Sequence, residues 1–162
     1  MMASLSVKDN GSTFVSSVTA DSRKAEPLVA ALAEKIASAS KDGDNVVGAL
    51  NAYEALANGC MVSAEAYLIH HLPAVLLAAG DKNAGIRDAA VTAVGAVISK
   101  MSSNSVRQVL PHLFKASEAG IAWQTRVLAL KSIAQLSDVA AEQLGTHSLT
   151  YSLTHLTTYS LT

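Results

Sequence analysis

The chain has 162 residues, enough for one domain with a real core. Half of it is apolar, yet seven residues are aromatic and 29 are alanine. That balance favours close-packed helices and excludes a β-sandwich, which needs more Val, Ile, Thr and aromatic side chains. A net charge of −1 excludes a whole-molecule field for nucleic acid or membrane, and the single cysteine, Cys60, excludes an intrachain disulfide and a multi-cysteine metal site.

The N-terminal stretch MMASLSVKDNGSTFVSSV lacks the apolar core of a secretory signal, and one Lys opposed by Asp9 does not suit a transit peptide. No run approaches the ~18 consecutive apolar residues of a membrane span. The expected protein is soluble and cytoplasmic, with residues 1–24 as a flexible tail. Beyond the tail, apolar residues recur at i, i+3, i+4 and i+7, which predicts helices near 25–39, 45–58, 64–79, 84–101, 104–117 and 121–136. Their joints, SKDGDN, NGCMVS, GDKN, SSNS and SEAG, carry residues that end or cap helices, with Asp44, Ser63, Asn83 and Asn104 as expected N-caps. The stretch SDVAAEQLG reads as a further helix capped at Ser137 or Asp138.

Two of these helix pairs share a signature. Pro73 and Pro111 each follow a Leu in the first helix of a pair and lie 38 residues apart; Arg87 and Arg126 open the second helices and lie 39 apart. This is an internal repeat with the length of a HEAT unit, two antiparallel helices in roughly 40 residues. A proline inside a helix removes one hydrogen bond, and the kink is expected to bend the first helix around its partner. Each Arg is expected to reach an acid or free carbonyls of the adjacent turn and so tie neighbouring units together. The pair PLVAALAEKIASAS and NVVGALNAYEALA has the same shape without the signature. The expected fold is all-α: an α-α superhelix, a HEAT/armadillo-like solenoid of about three helix pairs over residues 25–145, with no reaction centre.

Residues 146–162, THSLTYSLTHLTTYSLT, hold no charge, no Gly and no Ala. Thr-His-Ser-Leu is what a four-base DNA repeat, ACTC, encodes when read continuously, and single-base changes of His to Tyr account for the variants. The expectation is a disordered low-complexity tail of retained-intron or frameshift origin, which makes the chain a fragment of a longer solenoid. The functional alternative is a Ser/Thr-rich phosphorylation segment or a β-prone stretch.

Residues 67–136 resemble the N-terminal HEAT region of the translation elongation factor three family, ribosome-bound ABC-type ATPases. The likeness rests on YLIHHLPAVLLAAGDKNAGIRDAAVTAVGAVISKM and VLPHLFKASEAGIAWQTRVLALKSIAQL, above all LPHL followed by WQTR, and extends more faintly over about 25–145. The large scaffold protein that activates the amino-acid-starvation kinase carries a similar region. The resemblance implies a non-catalytic binding scaffold that docks on small-subunit ribosomal RNA and proteins during elongation. A regulatory scaffold like the kinase activator, or a generic protein-protein adaptor, is the alternative. ATP belongs to the family's ABC domains; no Gly-x-x-x-x-Gly-Lys-Ser/Thr loop occurs here, so no cofactor is expected.

Charge is uneven. Residues 1–80 hold five basic and eight acidic groups, whereas 81–131 hold seven basic and three acidic. Lys82, Lys100, Arg107 and Lys115, at joints or on outer faces, are the candidate contacts to RNA phosphate, weighed against ordinary solubilising charge. Arg87 and Arg126 are expected as structural ties, and Trp123 as a wedge between adjacent pairs in preference to a base-stacking platform. His70 and His71 diverge by ~100° on a helix and so cannot both meet one metal ion, and one is expected to face the groove. His112 is expected to be partly exposed. Cys60 has no base or oxyanion donor arranged around it, so it reads as a structural thiol and enzyme activity is not expected.

Overall fold

A computed structural model describes residues 11–38 and 43–139. Every regular element among them is helical: α1 (Gly11–Ala20), α2 (Ala25–Ala37), α3 (Gly43–Ala78), α4 (Ala84–Lys100), α5 (Val106–Ala116) and α6 (Trp123–Val139). Short 3-10 turns at Ser22–Lys24 and Ser103–Ser105 lead into α2 and α5.

Helix α3 is two limbs joined at a sharp bend. Cys60 leaves helical geometry, at φ −132 and ψ 22, while Pro73 is accommodated inside the second limb. The Tyr53 hydroxyl donates to the Leu68 carbonyl, fifteen residues on. In a straight helix those residues would stand ~22 Å apart, so the limbs fold back on one another. The bend falls at Asn58-Gly59-Cys60, within the expected NGCMVS joint. No Cβ fits at Gly59, since one would lie 2.7 Å from the Val15 side chain, so α1 packs directly against the bend. The Cys60 thiol lies 3.4 Å from the Val15 carbonyl, to which it donates, and 3.4 Å from the Thr19 hydroxyl. Ser63, an expected cap, therefore sits within α3.

With that bend the element order becomes three antiparallel pairs: α2 with residues 43–59, residues 61–78 with α4, and α5 with α6. The second helices lie parallel in a row. Gly43 approaches the Asn83 side chain that precedes α4, and Gly80 lies against Ala122 and Thr125 at the start of α6. Stacking, not any single pair, encloses the core: Leu50, Tyr53, Leu68, Leu72, Leu76, Ile86, Val97, Leu113 and Leu136 form part of one buried cluster across the three pairs. The solenoid expectation thus holds. Helix α3 has the length and hydropathy of a membrane span; fifteen of its 36 residues are buried, while Val62 and Leu77 are exposed.

Two boundaries differ from the sequence reading. Within the tail expected over 1–24, residues 11–20 form helix α1, whose Phe14 and Val18, one turn apart, are buried in the core; residues 1–10 lie outside the described residues. Ser and Thr dominate the rest of α1, and the hydroxyls of Ser16, Ser17 and Thr19 donate back to carbonyls of the preceding turn, so residues that usually mark loops are absorbed by the helix. At the other end, α6 continues through Ser137 to Val139, so no cap interrupts it there. The tail expected at 146–162 lies outside the described residues.

Candidate functional site

Each candidate basic residue is exposed, and helix direction decides which of them meet. Lys82 lies in the turn before α4, and Lys100 is the last residue of α4. Seventeen helical residues separate the two edges by ~25 Å. Arg107 stands in the first turn of α5 and Lys115 in its last. Because Gly80 touches Ala122, the turn carrying Lys82 lies beside the loop that follows Lys115. Lys82 and Lys115 therefore share one edge of the stack; Lys100 and Arg107, joined through Met101–Ser105, share the other. The four do not form one patch.

The turn carrying Lys82 is held rigidly. Asn83 caps α4, its side chain accepting from the Gly85 amide at 2.9 Å, and Asp81 accepts from the Asn83 amide at 2.7 Å. The Arg87 guanidinium donates to the carbonyls of Asp81 at 3.1 Å and Lys82 at 2.9 Å. Arg87 does reach carbonyls of the adjacent turn, as expected, but that turn joins the two helices of its own unit. The expected tie between units is therefore corrected: Arg87 locks a unit's internal corner. Arg126, at the matching position of α6, is exposed. A polar tie at the junction between units comes instead from Glu65, whose carboxylate accepts the Ser102 amide at the connector to α5.

Trp123 also departs from expectation. It is 68% exposed, not wedged between pairs. The side of that turn facing the preceding unit is taken by Ala122 and Thr125 against Gly80, which leaves the indole on the open face. Neither Pro73 nor Pro111 interrupts its helix.

His70 is exposed and His71 half-buried, with ring centroids 4.9 Å apart in an edge-to-face pair. His112 on α5 is also half-buried. Burial first, then the neighbouring His70, holds His71 below the usual imidazole range; burial, His70 and Lys115 do the same for His112. The folded protein therefore binds fewer protons here than the unfolded chain as pH falls below 6.5. This contribution is fully present above that value and is lost progressively below it. Thermal midpoints measured at about pH 7.5 and about pH 5.5 should fall toward the acid side, and His112→Gln should flatten the dependence. An identical slope in the variant would remove His112 from the account. Among the described residues no group of three or more His, Cys, Asp or Glu is placed to hold a metal ion.

The class of protein these features define is a helical-repeat scaffold, with two charged edges and an open face. The chain belongs to the EF3 N-terminal HEAT repeat family, whose description matches residues 6–150. It is 35% identical to elongation factor 3 of Zygosaccharomyces rouxii over 112 residues, covering 68% of this chain and 11% of that protein. It is 34% identical to the stalled ribosome sensor GCN1 of Homo sapiens over 124 residues, 76% of this chain and 5% of that protein. Elongation factor 3 of Phytophthora infestans is 36% identical over 104 residues, 64% of this chain and 10% of that protein. The chain thus spans about a tenth or less of the curated relatives it matches. No solved structure matches it.

Proposed function

We propose that the chain is a non-catalytic HEAT-repeat scaffold that docks on the ribosome in the cytoplasm during translation elongation, through small-subunit RNA and proteins. The single observation that carries this is family membership: the match to the EF3 N-terminal repeat covers nearly the whole chain. The two basic edges support it, since Lys82 with Lys115, and Lys100 with Arg107, each present a pair of exposed cations to phosphate. The likeness to GCN1, described as a stalled ribosome sensor, favours a second reading on the same platform: a regulatory scaffold that reports ribosome state.

Co-sedimentation with ribosomes over a salt series tests the first reading. Binding is expected at low salt, with an affinity that falls steeply as salt rises. Charge reversal of the edge that meets RNA should weaken binding and reduce the salt slope by roughly one for each phosphate left without its cation, while reversal of the other edge leaves it unchanged. A chain that stays in the soluble fraction at low salt, or binding indifferent to reversal of both edges, would end the proposal.

A further inference from the structure

Helix α6 carries an apolar stripe that the fold does not use. Trp123, Val127 and Leu130, at i, i+4 and i+7, are 68%, 40% and 58% exposed. The internal repeat provides a control for whether this merely reflects the position of α6 in the stack. With an offset of 39 residues, Ala90 and Ala129 are both fully buried, as are Val97 and Leu136. The same offset pairs Ala84 with Trp123, Asp88 with Val127 and Val91 with Leu130. Those three α4 residues remain exposed, Val91 at 48%, although α6 already lies against α4. A helix stacked on α6 in the same manner would therefore leave Trp123, Val127 and Leu130 open. The stripe belongs to the free face of the helix row, not to its stacking side.

The charges around it indicate what it fits. Arg126 and Lys131, both exposed, flank the stripe on its two sides, and the one acidic residue of α6 is Asp138, two turns beyond Leu130. On α4 the position matching Val127 is the exposed acid Asp88, between Ala84 and Val91, so the cationic apolar stripe is confined to α6. An apolar stripe along a helix offers a surface against which a second amphipathic helix can lay its own apolar face, and Trp and Arg are among the residue types that most often dominate such contacts. We infer that the open face of α6, centred on Trp123, Val127 and Leu130, docks the apolar side of an acidic amphipathic helix from a protein partner. Its apolar anchors lie along the stripe and its carboxylates pair with Arg126 and Lys131. The Trp123 end of this face adjoins the edge that carries Lys82 and Lys115, whereas Val127 and Leu130 lie one to two turns along α6 from it.

The test uses the full chain and a synthetic helical peptide of about 18 residues, five turns, with a Leu stripe flanked by Glu. Trp123 is the chain's one tryptophan, so its own emission reports docking. Titration should shift that emission to the blue, and the same peptide flanked by Lys should bind about tenfold more weakly. Val127→Glu with Leu130→Glu should weaken the Glu-flanked peptide by more than tenfold while leaving the thermal midpoint and ribosome co-sedimentation intact, because both side chains are exposed. Equal binding of the two peptides, or no shift in emission, overturns the inference. So does a variant that loses ribosome binding, which would assign the face to RNA or ribosomal protein, or one that abolishes self-association of the chain, which would assign it to a second copy.

Discussion

Replacing Tyr53 with alanine should destabilise the chain by roughly 3–5 kcal/mol, a large share of the stability of a domain this size. The ring is fully buried where the two limbs of α3 fold back on one another. Its removal leaves a cavity between limbs that the bend at Cys60 holds together at one end only. The hydroxyl adds a second role, because it donates to the Leu68 carbonyl across the bend. Burial pushes the phenol above its ordinary range, so it remains a donor throughout the pH range of the folded protein. Tyr53→Phe, which keeps the ring and removes the donor, should cost about 1–2 kcal/mol. Urea denaturation of the three proteins separates the two contributions. A loss below about 1 kcal/mol for the alanine variant would mean that the limbs are held from outside, by α2 and α4, and that Tyr53 only fills space.

That bend also shows what the sequence could and could not disclose. Periodicity in 3.6-residue steps located all three helix pairs, because each helix must turn one apolar side to its neighbours and Leu50, Leu72, Ile86 and Leu136 record that side directly. Asn58-Gly59 marked a joint, yet its form, a bend at Cys60 in place of a loop, depends on α1 packing there, and no local signal encodes a contact 45 residues away. Helix α1 was hidden by its composition. Phe14, Val15 and Val18 are three apolar residues among Ser and Thr, and only tertiary burial makes them sufficient. The corner function of Arg87 was half legible: its position near a helix start pointed to carbonyls, but which turn it would meet depends on chain direction. Basic residues were countable from the sequence, whereas their separation onto two edges follows from α4 and α5 running in opposite directions. Trp123 misled because a large apolar ring is usually buried; the small residues Gly80 and Ala122 had already closed the space it would have filled.

The same close approach sets the second large effect. Gly80→Ala should destabilise the α5–α6 pair by about 1–3 kcal/mol, the usual cost of an added methyl group where none fits. A Cβ at Gly80 would lie 2.6 Å from the Ala122 Cβ and 3.0 Å from the Thr125 hydroxyl oxygen. Neither neighbour is the end of a flexible side chain: Ala122 has no rotamer to change, and Thr125 is fully buried in a helix. The loop or the whole start of α6 must therefore move, carrying the edge that holds Lys82 and Lys115 with it. Thr125 sharpens the point, because its buried hydroxyl has no hydrogen-bond partner among the described residues, so polarity does not explain its place and its shape against Gly80 does. Gly95, in the middle of α4, is the internal control: a Cβ there meets nothing within 4 Å, so Gly95→Ala should raise stability by up to about 1 kcal/mol through helix propensity alone. Hydrogen exchange should show the Gly80 variant losing protection first in α5 and α6 while α2 and the first limb of α3 keep theirs, since coupling in a stacked array passes between neighbours. Uniform loss along the chain would show one cooperative block, in which the contact at Gly80 is no weaker a seam than any other.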